Sequence, residues 1–152
     1  MLTSKSDRRK KITQGQLKKF HTSFTREEKQ LLNEVIKHVD VNSIKMSHHV
    51  HREFNPMDIV EAFKNGVVYE YNTNGDDNRI LIKGYTPIKM NFDNKIQNVH
   101  ISIVYSLTYN NIVTLYYNPK KEAFRNTYDT RRYTNIKVDL KEVKKIIKNS
   151  KK

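Results

Sequence analysis

Between Val99 and Tyr117 apolar and polar side chains alternate with a period of two, and no other stretch restricts the fold as tightly. A helix would spread these residues around its circumference, whereas a strand sorts them onto two faces. Val99, Ile101, Ile103 and Tyr105 share one face of the first strand, and His100, Ser102, Val104 and Ser106 share the other. Asn110-Asn111 accepts the positive φ of a two-residue hairpin, so Ile112–Tyr117 is expected to return antiparallel. Strict alternation there sets Val113, Leu115 and Tyr117 against Ile112, Thr114 and Tyr116. Two further strands, Val67–Asn72 and Arg79–Tyr85, flank the turn sequence Asn74-Gly75-Asp76-Asp77. In the second of them Ile80 and Ile82 oppose Arg79, Leu81 and Lys83. Pro87 restricts pairing just beyond, and Asp93–Asn98 reads as a loop.

Helical signals occupy the two ends. Thr25 followed by Glu28 has capping-box spacing, and Leu31, Leu32, Val35, Ile36 and Val39 form one stripe, so a helix is expected near 25–39. Ser43–Phe54 reads as a short helix. Asn55-Pro56 starts a clearer one, with Ile59, Val60 and Phe63 on its buried side and Gly66 in the left-handed position past its end. Phe124–Tyr133 fits an ordered loop or an extra strand, Ile136–Val138 a short strand, and Leu140–Asn149 a basic helix. The expected architecture is α+β: N-terminal helices packed on one face of a four-stranded antiparallel meander, with a short C-terminal helix. Residues 1–22 read as a basic flexible arm with a helical turn near Leu17–Phe20, and residues 23–150 as a single domain.

The 29 basic and 16 acidic residues give a net charge of +13, most of it at the ends. Met1–Lys19 holds seven cations against Asp7, a balance of +6, and Lys141–Lys152 holds six against Glu142, a balance of +5; +2 remains for residues 20–140. Such ends attract phosphate backbones without reading sequence, and they equally suit a plain solubilising surface. RNA or another nucleic acid, the ribosome or a host nucleoprotein complex are the partners this charge implies. Absence of cysteine removes disulfides, thiolate zinc sites and cysteine nucleophiles, and fits a reducing compartment. No apolar run approaches a membrane span and Met1–Lys19 lacks the apolar segment of a signal peptide, so a cytoplasmic protein without membrane contact is expected. With four glycines and no phosphate-cradling loop, no nucleotide cofactor is expected. Abundant Asn, Lys and Ile point to an AT-rich genome, such as a low-GC bacterium or its phage.

Three sets of residues carry chemistry. His48, His49 and His51 lie within four positions, and imidazole titrates near neutral pH, which suits an acid or a base. His48 and His51 could share a helix face as metal ligands, but no carboxylate has matching spacing, so no metal is expected. A polar helix end is the plainer alternative. The second set is the sheet face bearing Arg79, Lys83, His100, Ser102, Thr114 and Tyr116, which is too polar for a core and fits either a solvated face or a substrate surface. The third is Phe124–Tyr133, where Arg125, Arg131 and Arg132 interleave with aromatics, as in surfaces that stack on bases and hold phosphates.

Taken in order, His48 or His49 with Arg52, the helix Asp58–Gly66, the strand Arg79–Gly84 and the run Val113-Thr114-Leu115-Tyr116 form a sequence of features. From Ser47 to Tyr117 this order resembles the barnase/EndoU/colicin/RelE-like toxin nucleases, a superfamily of small ribonucleases. The resemblance implies a metal-independent endoribonuclease, a toxin or effector that attacks RNA through its own 2′-OH by general acid/base catalysis. His48 or His49 would then transfer protons, Arg79 or Lys83 would hold the phosphate, and Thr114 and Tyr116 would position it. His51, Arg52, His100, Arg125, Arg131, Arg132, Lys144 and Lys145 would bind the nucleic acid, and an antitoxin is an expected partner. The alternative is a non-catalytic basic protein of phage or plasmid type that binds nucleic acid or a host complex. In either case Leu140–Asn149 is expected to dock through Val143, Ile146 and Ile147 and to present its lysines beside the substrate surface.

Overall fold

The Thr25 hydroxyl accepts from the Glu28 amide at 3.1 Å, and the Glu28 carboxylate accepts from the Thr25 amide at 2.8 Å. That reciprocal cap starts α1, Arg26–Val35, which tightens into a 3-10 turn over Ile36–His38. Its stripe is as expected: Leu32, Val35 and Ile36 are fully buried. The Asn55 side chain accepts from the Met57 amide and Pro56 takes the first position of α2, Pro56–Asn65. The third helix, α3, is Leu140–Ser150. The computed structural model describes residues 16–48, 50, 54–119, 134 and 136–150; Phe124–Tyr133 lies outside them.

Seven strands make one sheet: β1 Gln16–Phe20, β2 Lys45–Met46, β3 Val67–Asn74, β4 Asp77–Lys83, β5 Ile88–Phe92, β6 Lys95–Ser106 and β7 Asn111–Pro119. Their order is β1-β3-β4-β6-β7-β2, with β5 paired to β6 beyond the end of β4. Among the described strands every pairing is antiparallel except that of β2 with β7. The three described helices pack on one face, over a core that includes Phe63, Tyr71, Ile80, Ile82, Ile101, Ile103, Val143 and Ile147. No described helix is long and apolar enough to cross a membrane.

The α+β class holds, but the four-stranded meander beneath N-terminal helices does not. Leu17–Phe20 belongs to a strand rather than a helical turn, because the five residues Gln16–Phe20 pair with β3 and the Lys19 side chain finds a buried carboxylate in Glu28. Lys45–Met46 is a strand where a helix was expected across Ser43–Phe54, and the Ser47 amide continues its pairing to the Ile112 carbonyl at 2.9 Å. A tight turn at Asp93 and Asn94, both with positive φ, lets β5 fold back on β6 where a longer loop was expected. The β6–β7 connection spans Leu107–Asn110, and only Asn110 takes positive φ. Val138 sits in no strand; it is buried and its amide donates to Glu28.

Two other expectations shift. Val60 is exposed, and Ala62 completes the buried side of α2. Gly66 has φ −76°, so it is not left-handed. Its need for glycine is spatial: an added Cβ would sit 2.2 Å from the Ala62 carbonyl oxygen and 2.8 Å from that of Lys83.

Candidate functional site

Alternation turns half of each central strand away from the helices, and those side chains build a second, polar face. Arg79, Leu81 and Lys83 on β4 stand opposite Ser106, Val104 and Ser102 on β6. Val104 and Ser102 in turn stand opposite Thr114 and Tyr116 on β7. A bulge between Val104 and Tyr105 breaks strict alternation on β7. Ile112 therefore joins the core and Val113 turns to the polar face, the reverse of the expected assignment. A cavity of about 220 Å³ opens on this face, lined by Lys18, Glu70, Asn72, Asn74, Arg79, Leu81, Val104, Val113, Thr114 and Tyr116.

Most charges here are paired. Lys18 approaches Glu70 at 3.6 Å, and the Arg79 Nε donates to Asp77 at 2.7 Å. The other Asp77 oxygen accepts from the Ser106 hydroxyl at 2.6 Å, which fixes the carboxylate that aims Arg79. Glu70 and Lys18 were missed in the sequence because a bulge between Val68 and Glu70 hides the alternation of β3, and β1 reads as part of a charged arm. The recoverable signal was Glu70-Tyr71-Asn72-Thr73-Asn74, whose alternate positions are all polar.

Lys83 is different. It is 5% exposed, and its Nζ donates to the Ser102 hydroxyl at 2.8 Å and to the Asn118 side-chain oxygen at 3.3 Å. It lies 5.4 Å from the centre of the Tyr116 ring. Among the described residues no carboxylate comes within ion-pairing distance of it. Burial therefore dominates and lowers its pKa to about 8, with Glu70 opposing from further away. Ser102 also donates to Asn118 at 2.8 Å, so the two neutral partners hold each other in place.

The sequence-derived residues thus separate into groups. Arg79, Lys83, Thr114 and Tyr116 converge on the polar face. His100 points to the same side but is 4% exposed, with its Nδ1 hydrogen-bonded to the Gly84 carbonyl at 2.8 Å. His48 is exposed, two residues past the end of β2, on the outer edge of the strand that carries Thr114 and Tyr116. His49, His51, Arg52, Arg125, Arg131 and Arg132 lie outside the described residues. Lys144 and Lys145 are not beside the cavity as expected. Val143 and Ile147 anchor α3 in the core on the helix side, Asn78 donates to Glu142 in its first turn and Tyr71 accepts from the Asp139 amide just before it, so the lysines face away from the cavity. Among the described residues no three His, Cys, Asp or Glu side chains converge as metal ligands would. No family model, curated protein or solved structure matches the chain.

Proposed function

We propose that the polar face of the sheet binds an RNA phosphodiester and cleaves it without a metal, through attack of the neighbouring 2′-OH. One observation carries the reading: among the described residues a buried ammonium, Lys83, has neutral hydrogen-bond partners only, on the same face as Arg79, Thr114 and Tyr116. A buried cation without a carboxylate is unfavourable for folding alone, and an incoming phosphate supplies the missing counter-charge. The order of features from Ser47 to Tyr117 that resembles the barnase/EndoU/colicin/RelE-like nucleases points the same way.

RNA carries its own nucleophile, so the protein has three tasks: accept a proton from the 2′-OH, stabilise the charge building on phosphorus, and protonate the leaving 5′-oxygen. Lys83 and Arg79, four residues apart on one face of β4, stand roughly 13 Å apart along the strand and would meet successive parts of the backbone. Lys83 would stabilise the phosphorane, an electrostatic role that gains strength from its low-dielectric site. Thr114 and Tyr116 would donate hydroxyls to non-bridging oxygens. Glu70, the carboxylate in the cavity, would take the 2′ proton, and His48, two residues past the strand that pairs with β7, or its sequence neighbour His49 would return one to the leaving oxygen. The test is total RNA incubated with the protein in EDTA. Fragments ending in 2′,3′-cyclic phosphate are expected, and their loss in a His48→Ala, His49→Ala double variant. Full-speed cleavage by that variant removes the histidines from the mechanism, and no cleavage by the wild type removes the reading. Binding of RNA without cleavage would favour the non-catalytic alternative, for which the +13 charge is the supporting observation.

A further inference from the structure

Among the described residues a second group of cations lies on the helix side of the sheet, opposite the polar face. α1 with its 3-10 extension packs against α3, and this two-helix layer turns seven cations outward: Arg26, Lys29 and Lys37 from the first, Lys141, Lys144, Lys145 and Lys148 from the second. Few acids oppose them. Glu28 is committed inside to Lys19 and the Val138 amide, and Glu142 to Asn78 and Thr108. On the two helices themselves Glu27 and Glu34 are the acids left outward, so seven cations meet two acids there. By contrast, α2 carries Asp58 and Glu61 against Lys64 alone. No Phe, Tyr or Trp occurs on either helix of the layer.

We infer that the α1–α3 layer is a second binding surface, separate from the cavity, that takes the phosphate backbone of an RNA double helix. Recognition of single strands relies on bases stacking on aromatic rings, which this layer does not offer. Duplex RNA hides its bases and presents shape and phosphates, which rigid rows of cations match. Lys141 to Lys148 spans about 10 Å along α3, and a double helix carries a charge about every 1.7 Å of its axis, so one row faces several phosphates. Because the layer lies on the far side of the sheet from the cavity, a structured RNA would dock there while an unpaired stretch of the same or another molecule occupied the polar face.

The test compares the wild type with a variant carrying Lys141→Gln, Lys144→Gln, Lys145→Gln and Lys148→Gln, after circular dichroism has confirmed the fold. A short RNA duplex and poly-glutamate are titrated between about 50 and 200 mM salt. The salt slope for the duplex is expected to fall by up to about 3.6, four contacts at ~0.9 each. Arg26→Gln with Lys29→Gln and Lys37→Gln should lower it as well, and serves if the first variant does not fold. Lys83→Met should leave the duplex slope as it is, so this surface and the cleavage chemistry fail or stand separately. An unchanged slope in both charge variants overturns the inference. Poly-glutamate bound as tightly as the duplex, and lost equally in the variants, overturns it too, because the surface would then suit an acidic protein.

Discussion

Lys19 and Lys83 are buried to nearly the same degree on opposite faces of one sheet, 2% and 5% exposed, and the fold treats them in opposite ways. On the helix side the Lys19 ammonium meets Glu28 at 2.7 Å, and the same carboxylate receives the Thr25 and Val138 amides. One charge pair thereby ties β1, the start of α1 and the segment leading into α3. On the polar side Lys83 meets a hydroxyl, an amide oxygen and the face of a tyrosine. A buried charge that is fully answered serves the fold, while one left partly unanswered costs stability, and that cost is what the binding role proposed for Lys83 would offset. The outward lysines of α3 form a third case, hydrated and weakly coupled to the fold.

The largest effect is expected on the answered side. Glu28→Ala leaves the Lys19 ammonium buried without an acceptor and removes the side-chain half of the reciprocal cap of α1, at a cost of about 3–5 kcal/mol. A Tm falling by less than a few degrees would mean that Lys19 escapes to water. Burial alone would raise the Glu28 carboxyl, but the hydrogen bonds from Lys19 and the Val138 and Thr25 amides prevail and hold it below its usual range. Its contribution is therefore present above the ordinary carboxylate pKa and lost as pH falls through the lower folded value. Acid titration of wild type against Glu28→Gln should show that difference.

Lys83→Met should do the reverse on the other side. Cleavage of RNA is expected to drop roughly 10²–10³-fold, the usual cost of removing one group that stabilises transition-state charge. The protein itself should become more stable, because Met fills the space and Ser102 keeps its bond to Asn118. The sign with pH follows from the lowered pKa. Between about 8 and the ordinary 10.5 the unfolded lysine holds a proton that the folded one has lost, so wild-type stability rises through that window. The advantage of Lys83→Met should shrink over the same range. A variant less stable than wild type at pH 7 would show that Lys83 is structural after all.

These two lysines also mark how far the sequence could be read. Period-two alternation, in Arg79–Lys83 and again from Val99 to Tyr117, puts Arg79, Lys83, Ser102, Thr114 and Tyr116 on one polar face, because alternation survives wherever strands are regular. It failed at the two bulges, where one extra residue exchanges the faces: Ile112 and Val113 traded places, and Glu70 was not recognised. The short edge strands β1 and β2 carry lysines at positions that pairing, not hydropathy, decides, so nothing local announced them. Nor could composition separate Lys19 from Lys83. That distinction depends on Glu28, nine residues from one and on the far side of the sheet from the other.

A smaller effect tests how tightly the two sides are coupled. Gly66 ends α2 against the backbone of Lys83, and a Cβ there would press on the Ala62 and Lys83 carbonyls. Gly66→Ala should cost about 1–3 kcal/mol by displacing one or both chains. If the displacement reaches Lys83, RNA affinity falls as well as Tm. A lost Tm with unaltered affinity would show that the polar face is insulated from the helix layer.

The smallest effect belongs to the exposed charges. Glu27 and Lys144 approach to 3.2 Å, but both side chains are more than half exposed, at 60% and 58%. Such pairs contribute well under about 1 kcal/mol, and Glu27 adds only a modest favourable term at the start of α1. Glu27→Gln should therefore lower the Tm slightly at low salt, with the difference fading as screening increases. Its effect on binding has the opposite sign. Removing one of two outward acids releases Lys144 and makes the α1–α3 layer more positive, so affinity for an RNA duplex should rise and the salt slope steepen by up to one contact, ~0.9. Glu28→Ala disables a charge that the fold depends on; Glu27→Gln, one residue away, barely disturbs the fold and tightens binding. A Glu27→Gln variant whose duplex affinity is unchanged, or whose stability falls as far as that of Glu28→Ala, would erase the distinction between buried and outward charge on this helix.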